Sequence, residues 1–146
     1  MATVTIKNVD RLIQRLNNIA NMELKTTMVQ ATKLVHGQAK LLAPVDTGNL
    51  AGSIHQEVKT KKDSVEGRVY TNTQYAPYVE FGTGSKGNGS YPYDIDGLNL
   101  EYKEDWAGMT AQPYMYPALK QNEQYIKKLF KNDVKSELKA NCRGGK

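Results

Sequence analysis

Few residues in this chain have the chemistry of a nucleophile, a base or a metal ligand. His36 and His55 are the only histidines and Cys142 the only cysteine, too few for a metal constellation. Cys142 has no histidine near it in sequence, no G-x-S-x-G elbow occurs, and the acidic residues are scattered, with Glu104-Asp105 the one adjacent pair, so neither an activated nucleophile nor a catalytic carboxylate pair is read from spacing. Gly82-Thr83-Gly84-Ser85-Lys86-Gly87 does match the G-x-G-x-x-G spacing of a nucleotide fingerprint. That fingerprint needs a buried strand before it and a helix opening on its last glycine, whose free N–H groups and dipole then meet a pyrophosphate. Asn88-Gly89-Ser90-Tyr91-Pro92 follows instead and cannot start such a helix. The expectation is therefore a non-enzyme, with no catalytic, metal-binding or cofactor-binding residue and no cofactor.

The elements around these residues read more clearly. Thr3 to Lys7 alternates Val4 and Ile6 against Thr3, Thr5 and Lys7, the period of a short strand. Asn8 is placed to cap a helix whose stripe is Val9, Leu12, Ile13, Leu16, Ile19 and Ala20, ending near Asn21. A second, longer helix is expected from about Met22 to Leu42, stopped by Ala43-Pro44. Val45 to Leu50 reads as a turn, with Asp46 bonding its own backbone and Gly48 free to take positive φ. Ser53 to Lys61 and Val65 to Thr71 alternate about a polar Lys61-Lys62-Asp63-Ser64 turn, which predicts a hairpin with one wet face. Tyr116-Pro117 opens the last helix, with Leu119, Asn122, Ile126, Leu129, Phe130, Val134 and Leu138 inward.

The fold class expected is α+β: a small, mostly antiparallel sheet packed by a long helix, an N-terminal helix and a C-terminal helix, with a long loop. Residues 1–140 form one domain, of ordinary size for a chain of 146 residues, and residues 141–146 are a frayed tail. Residues 84–111, rich in Gly, Ser, Asn and Asp, are expected to be mobile until docked on a neighbour.

Between the hairpin and that loop, Tyr75 to Gly84 crowds three rings, a proline and two glycines, a junction suited to contact more than to catalysis. Its structural residues are Tyr75, Pro77, Tyr78, Phe81 and Gly82, joined by Pro44, Asp46 and Gly48 before it and Pro113 after it. Aromatic residues concentrate between positions 70 and 116. Two readings are open: Tyr75, Tyr78 and Phe81 cover the end of the core while the other rings decorate the loop, or Tyr91, Tyr93, Tyr102, Trp106, Tyr114 and Tyr116 form a protein interface, where such rings give large contact area.

A net charge of +5 and a lysine-rich C-terminal segment permit nucleic-acid contact, so a nucleic-acid-binding module using the hairpin and last helix is the alternative function. Glu123, Asp133 and Glu137 interrupt those lysines as on an ordinary solvated face. No run approaches the roughly 20 apolar residues of a membrane span. The N-terminus lacks the charged start and apolar block of a secretory signal. A single cysteine cannot make an internal disulfide. Synthesis in a reducing cytoplasm, with no membrane partner, is the expectation.

Three motifs in order, Ala43-Pro-Val-Asp-Thr-Gly-Asn-Leu50 after a long helix, Tyr75-Ala-Pro-Tyr-Val-Glu-Phe-Gly-Thr-Gly84 after a hairpin, and Ala111-Gln-Pro-Tyr-Met-Tyr-Pro-Ala-Leu119 before a last helix, resemble the gene-product-ten-like tail-component family of long-tailed phages. The resemblance covers nearly the whole chain. It implies a non-enzymatic virion protein of the neck region at the head–tail junction, made in the host bacterial cytoplasm, acting in tail completion or as a tail terminator. Its implied partners are copies of itself in a ring and other phage neck and tail proteins, with non-specific DNA nearby. Tyr114 stands where the family commonly has phenylalanine, and Tyr116 where an arginine is frequent.

Overall fold

A computed structural model describes residues 9–45, 48–62 and 64–143. Its first element is a single helix, α1, Val9–Leu42. The break expected at Asn21 does not occur. Asparagine costs only about 0.7 kcal/mol or less relative to alanine inside a helix, while each residue added to an existing helix gains a backbone bond, so Asn17, Asn18 and Asn21 are carried through. Pro44 ends α1 as its geometry requires, the last bond running from Ala43 N–H to the Ala39 carbonyl at 2.9 Å. The strand expected at Thr3 to Lys7, the Asn8 cap and the tail beyond position 143 lie outside the described residues.

Gly48 takes φ 68°, the left-handed conformation that turns the chain into the short helix α2, Asn49–Gly52. Strands β1, Ile54–Thr60, and β2, Val65–Thr71, then pair antiparallel with Ile54 opposite Thr71 and Thr60 opposite Val65. Lys61 N–H closes the turn on the Ser64 carbonyl at 2.7 Å. Among the described residues the sheet has these two strands. It lies against α1, and His36 Nε2–H ties the two by donating to the Ile54 carbonyl at 2.9 Å. Gly67 lets β2 approach closely: a Cβ there would stand 2.3 Å from Thr32 Oγ1 and 2.7 Å from Met28 Sδ.

After β2 come two short helices, α3, Ala76–Phe81, and α4, Gly84–Gly87, then an irregular segment, then α5, Met115–Arg143. Helix α5 runs antiparallel along α1. The Thr27 hydroxyl donates to the Asp133 carboxylate at one end, and Gln38 Nε2 donates to Gln121 Oε1 at 3.2 Å nearer the other. Alanines let the two helices meet closely, Ala39 and Ala118 being wholly buried. Around them Val35, Ala43, Leu50, Ile54, Ala76 and Tyr114 complete the core. Full burial of side chains such as Ile54 and Tyr114 contributes about 1.5–3 kcal/mol each. The architecture is α+β, with the hairpin and α5 side by side on one long helix.

Candidate functional site

The junction is built around Glu80 on α3. A glutamate is seldom buried unless its oxygens are occupied, and Glu80 is 5% exposed. Its Oε2 accepts the backbone N–H groups of Tyr114 and Met115 at 2.8 and 2.9 Å, and its Oε1 accepts that of Tyr116 at 3.2 Å and the Tyr91 hydroxyl at 3.4 Å. The first N–H groups of a helix have no partner inside it. One carboxylate takes three of them at the start of α5, and the next position, Pro117, has none to satisfy. The negative charge also lies at the positive end of the helix dipole.

This arrangement moves the start of α5 two residues upstream of the expected Tyr116-Pro117. It also accounts for its neighbours. Burial pushes the Tyr114 phenol up to about 12, with the nearby Glu80 charge and then Tyr75 adding to the rise. Burial raises Tyr91 as well, again reinforced by Glu80. Both rings are held neutral.

The segment from 82 to 112 is pinned back onto α3. Thr83 and Met109 exchange backbone bonds of 2.8 and 2.9 Å, Ser85 and Lys86 N–H donate to the Trp106 and Ala107 carbonyls, and Gln112 N–H donates to Val79 at 2.8 Å. Tyr102 donates its hydroxyl to the Phe81 carbonyl at 2.8 Å. Ser90 bridges within the segment, donating to the Gly87 carbonyl at 2.7 Å and accepting from Ala111 N–H at 2.8 Å. Gly82, Gly84 and Gly108 all take positive φ where backbones nearly touch; a Cβ on Gly108 would lie 1.9 Å from the Thr83 oxygen. Residues 84–111 are thus bonded at both ends, and residues 92–101 have one internal backbone bond, Leu98 to Ile95.

Of the interface candidates, Tyr91, Tyr93 and Tyr116 are brought together. They continue a chain of tilted rings from Phe81, with centroids 5.0, 5.5 and 4.9 Å apart. Tyr102 is half-buried and tethered, Trp106 is 53% exposed, and Tyr114 is buried in the core. Among the junction residues, Gly82 is buried, Pro44, Phe81 and Pro113 are half-buried, Gly48 and Pro77 are exposed, and Asp46 lies outside the described residues. Tyr75 and Tyr78 face solvent.

The role of Glu80 is not legible in the sequence, since the three backbone N–H groups it binds stand 34 to 36 positions away. Its one local signal is a lone acidic residue among Tyr78, Val79 and Phe81.

Two apolar features remain open to solvent. Leu41 in the last turn of α1 and Val45 just beyond it are about 80% exposed, and Tyr75 and Tyr78 flank Ala76. Ala43 and Ala76, which these residues adjoin in the chain, are both buried in the core. The second feature is a groove of about 480 Å³ with α1 as its floor. Val69 of β2 forms one wall, Leu119 and Phe130 of α5 the other, and Tyr91 and Ile95 lie at its end beside Glu80.

Among the described residues no group of three His, Cys, Asp or Glu could hold a metal ion, and no helix is long and apolar enough to cross a membrane. What the geometry offers is contact surface organised around a rigid junction. Residues 6–82, just over half of the chain, match the family described as "Bacteriophage HK97-gp10, putative tail-component". The chain belongs to that family, the gene-product-ten-like phage tail components. The match ends at Gly82, so the third motif, Ala111 to Leu119, and α5 lie beyond it. No curated protein and no solved structure matches the chain.

Proposed function

We propose that this tail component is a non-enzymatic structural subunit of the head–tail junction, a neck, tail-completion or terminator protein that closes into a ring with copies of itself. The observation that carries the ring is the exposure of large apolar residues on either side of the core, Leu41 and Val45 beside Ala43 and Tyr75 and Tyr78 beside Ala76. Exposed apolar surface that joins into a patch marks association sites. A different surface, the groove, lies between β2 and α5, and two unlike patches on one chain favour head-to-tail contacts, which close into rings when the rotation permits. The rest of the reading follows from the family: synthesis in the host cytoplasm, residence in the virion and contact with other neck and tail proteins. Native mass spectrometry across concentration tests it. A single closed oligomer is expected, lost in Leu41→Glu/Tyr78→Glu; a wild-type chain that stays monomeric, or a variant that assembles as before, overturns the reading of these residues as an interface.

One observation favours DNA proximity as a second reading. Lys128, Lys131, Lys135 and Lys139 lie on one exposed face of α5 and make no ion pair among the described residues, whereas Lys120 and Lys127 are both paired with Glu123. Four free lysines along a helix suit a phosphate backbone without reading sequence. Replacing all four by Gln should abolish salt-sensitive retention on duplex DNA and leave assembly intact; equal retention by the variant would remove this reading.

A further inference from the structure

We propose that the groove between β2 and α5 receives residues Thr3 to Lys7 of a second copy of this chain, laid as an added strand on the free edge of β2 with Val4 and Ile6 facing into the groove. The inference deepens the ring reading and rests on it.

The groove has the two parts such a site requires. The sheet stops at β2: β1 occupies one of its edges and no described strand occupies the other. Among the described residues, the sheet residues lining the groove are Gly67 and Val69, both of β2. A free edge presents unpaired N–H and C=O groups, and an extended segment can satisfy them while its alternate side chains enter a neighbouring pocket. Beside this edge, Met28 and Val35 of α1 and Leu119 and Phe130 of α5 offer apolar surface, and Leu119 remains 50% exposed. The fitting occupant alternates in period two, with small β-branched apolar residues on one side and polar residues on the other. Thr3-Val4-Thr5-Ile6-Lys7 has that pattern.

Reach decides between the same chain and another. Helix α1 rises about 1.5 Å per residue, which puts Val9 about 28 Å along the axis from Met28, the nearest groove residue. An extended chain advances about 3.4 Å per residue, so Ile6 lies within about 10 Å of Val9 and Val4 within about 17 Å. Neither can enter its own groove. The groove of a second copy is under no such limit.

Two single-cysteine chains with different tags, both in a Cys142→Ser background, test the placement. One carries Ile6→Cys and the other Leu119→Cys. Mild oxidation of the mixture should link the two tags. A chain carrying both cysteines that links only within itself overturns the proposal, as does absence of any link in an oligomer of normal size. In parallel, Val4→Asp/Ile6→Asp should weaken assembly about tenfold or more, since it places two charges in apolar surroundings, whereas Thr3→Asp/Thr5→Asp should not. Equal assembly by both variants overturns the strand register.

Monomeric wild-type chain would sink the ring reading without deciding the groove. A peptide of residues 1–8 added to the full-length Val4→Asp/Ile6→Asp protein then decides it. Saturable shifts in the NMR signals of Val69, Leu119 and Phe130 support the site, and their absence leaves the groove to some other occupant.

Discussion

Glu80 Oε2 accepts the backbone N–H of Tyr114 at 2.8 Å, so a helix that begins at Met115 is capped by a residue 35 positions before its start. Glu80→Ala leaves three N–H groups without that acceptor, each worth about 1 kcal/mol or more when shielded from water. A loss of about 3 kcal/mol in urea denaturation is expected. Glu80→Gln keeps the shape and one acceptor oxygen and should lose about 1 kcal/mol. Equal midpoints for wild type and Glu80→Ala would show that water replaces the carboxylate without cost.

Tyr114 sets an alkaline limit. Its phenol rises from 10.0 to about 12 on folding, chiefly through burial. A raised value means that the native state holds the proton more tightly than the unfolded chain. The associated stability is therefore full below pH 10 and lost as pH climbs through 10 towards 12, a difference of about 3 kcal/mol at most. Denaturation midpoints measured from pH 8 to 12 should fall in that window, and Tyr114→Phe should flatten the fall.

Gly108 and Gly89 both take positive φ, 62° and 71°, but only Gly108 is crowded, against the Thr83 backbone. Gly89→Ala should cost about 1 kcal/mol for the left-handed conformation alone. Gly108→Ala must in addition push apart the bridge between Thr83 and Met109 and should cost clearly more. Thermal melting of the two variants side by side compares them, and equal losses would show that the bridge gives way freely.

Protease should enter the chain between residues 92 and 101 first. That stretch has a single internal backbone bond, while the residues on either side of it are tied across Thr83 and Met109 and through Ser90 and Tyr102. Mass mapping of brief digests reads the site. First cuts within 82–90 or 106–112 would mean that the cross-bonds open more readily than the middle.

Phe81 is half-buried between the groove and the Tyr91 ring. Phe81→Ala removes an edge-on ring contact and part of a hydrophobic side chain. About 2 kcal/mol is expected, below the roughly 3–5 typical of a fully buried phenylalanine. Calorimetry would detect it, and an unchanged melting midpoint would move Phe81 to the assembly surface.

The local parts of the fold are plain in the sequence. Alternation in Ile54 to Thr60 and Val65 to Thr71 finds the hairpin, and Pro44 marks the end of α1, because both depend on neighbours within a few residues. The parts set by distant contacts are hidden. Nothing near Asn21 announces that α1 continues through it, and nothing near Glu80 announces three backbone donors beyond position 113. Tyr114 looks the same in sequence as Tyr116 and Tyr93; only the meeting of α3 with α5 makes it core. The ties of Tyr102 to Phe81 and Ser90 to Ala111 span 21 positions each and leave no periodic trace.

Synthesis proceeds from the N-terminus, and α5 is made after every element it packs on. Its pairing with α1 links Thr27 to a residue 106 positions later, while the cap at its start waits on the growing chain. Until α5 leaves the ribosome, Val35 and Ala39 lack the protein lid it provides. The fold therefore closes only once α5 is made, and a product terminated before it carries an open, adhesive face.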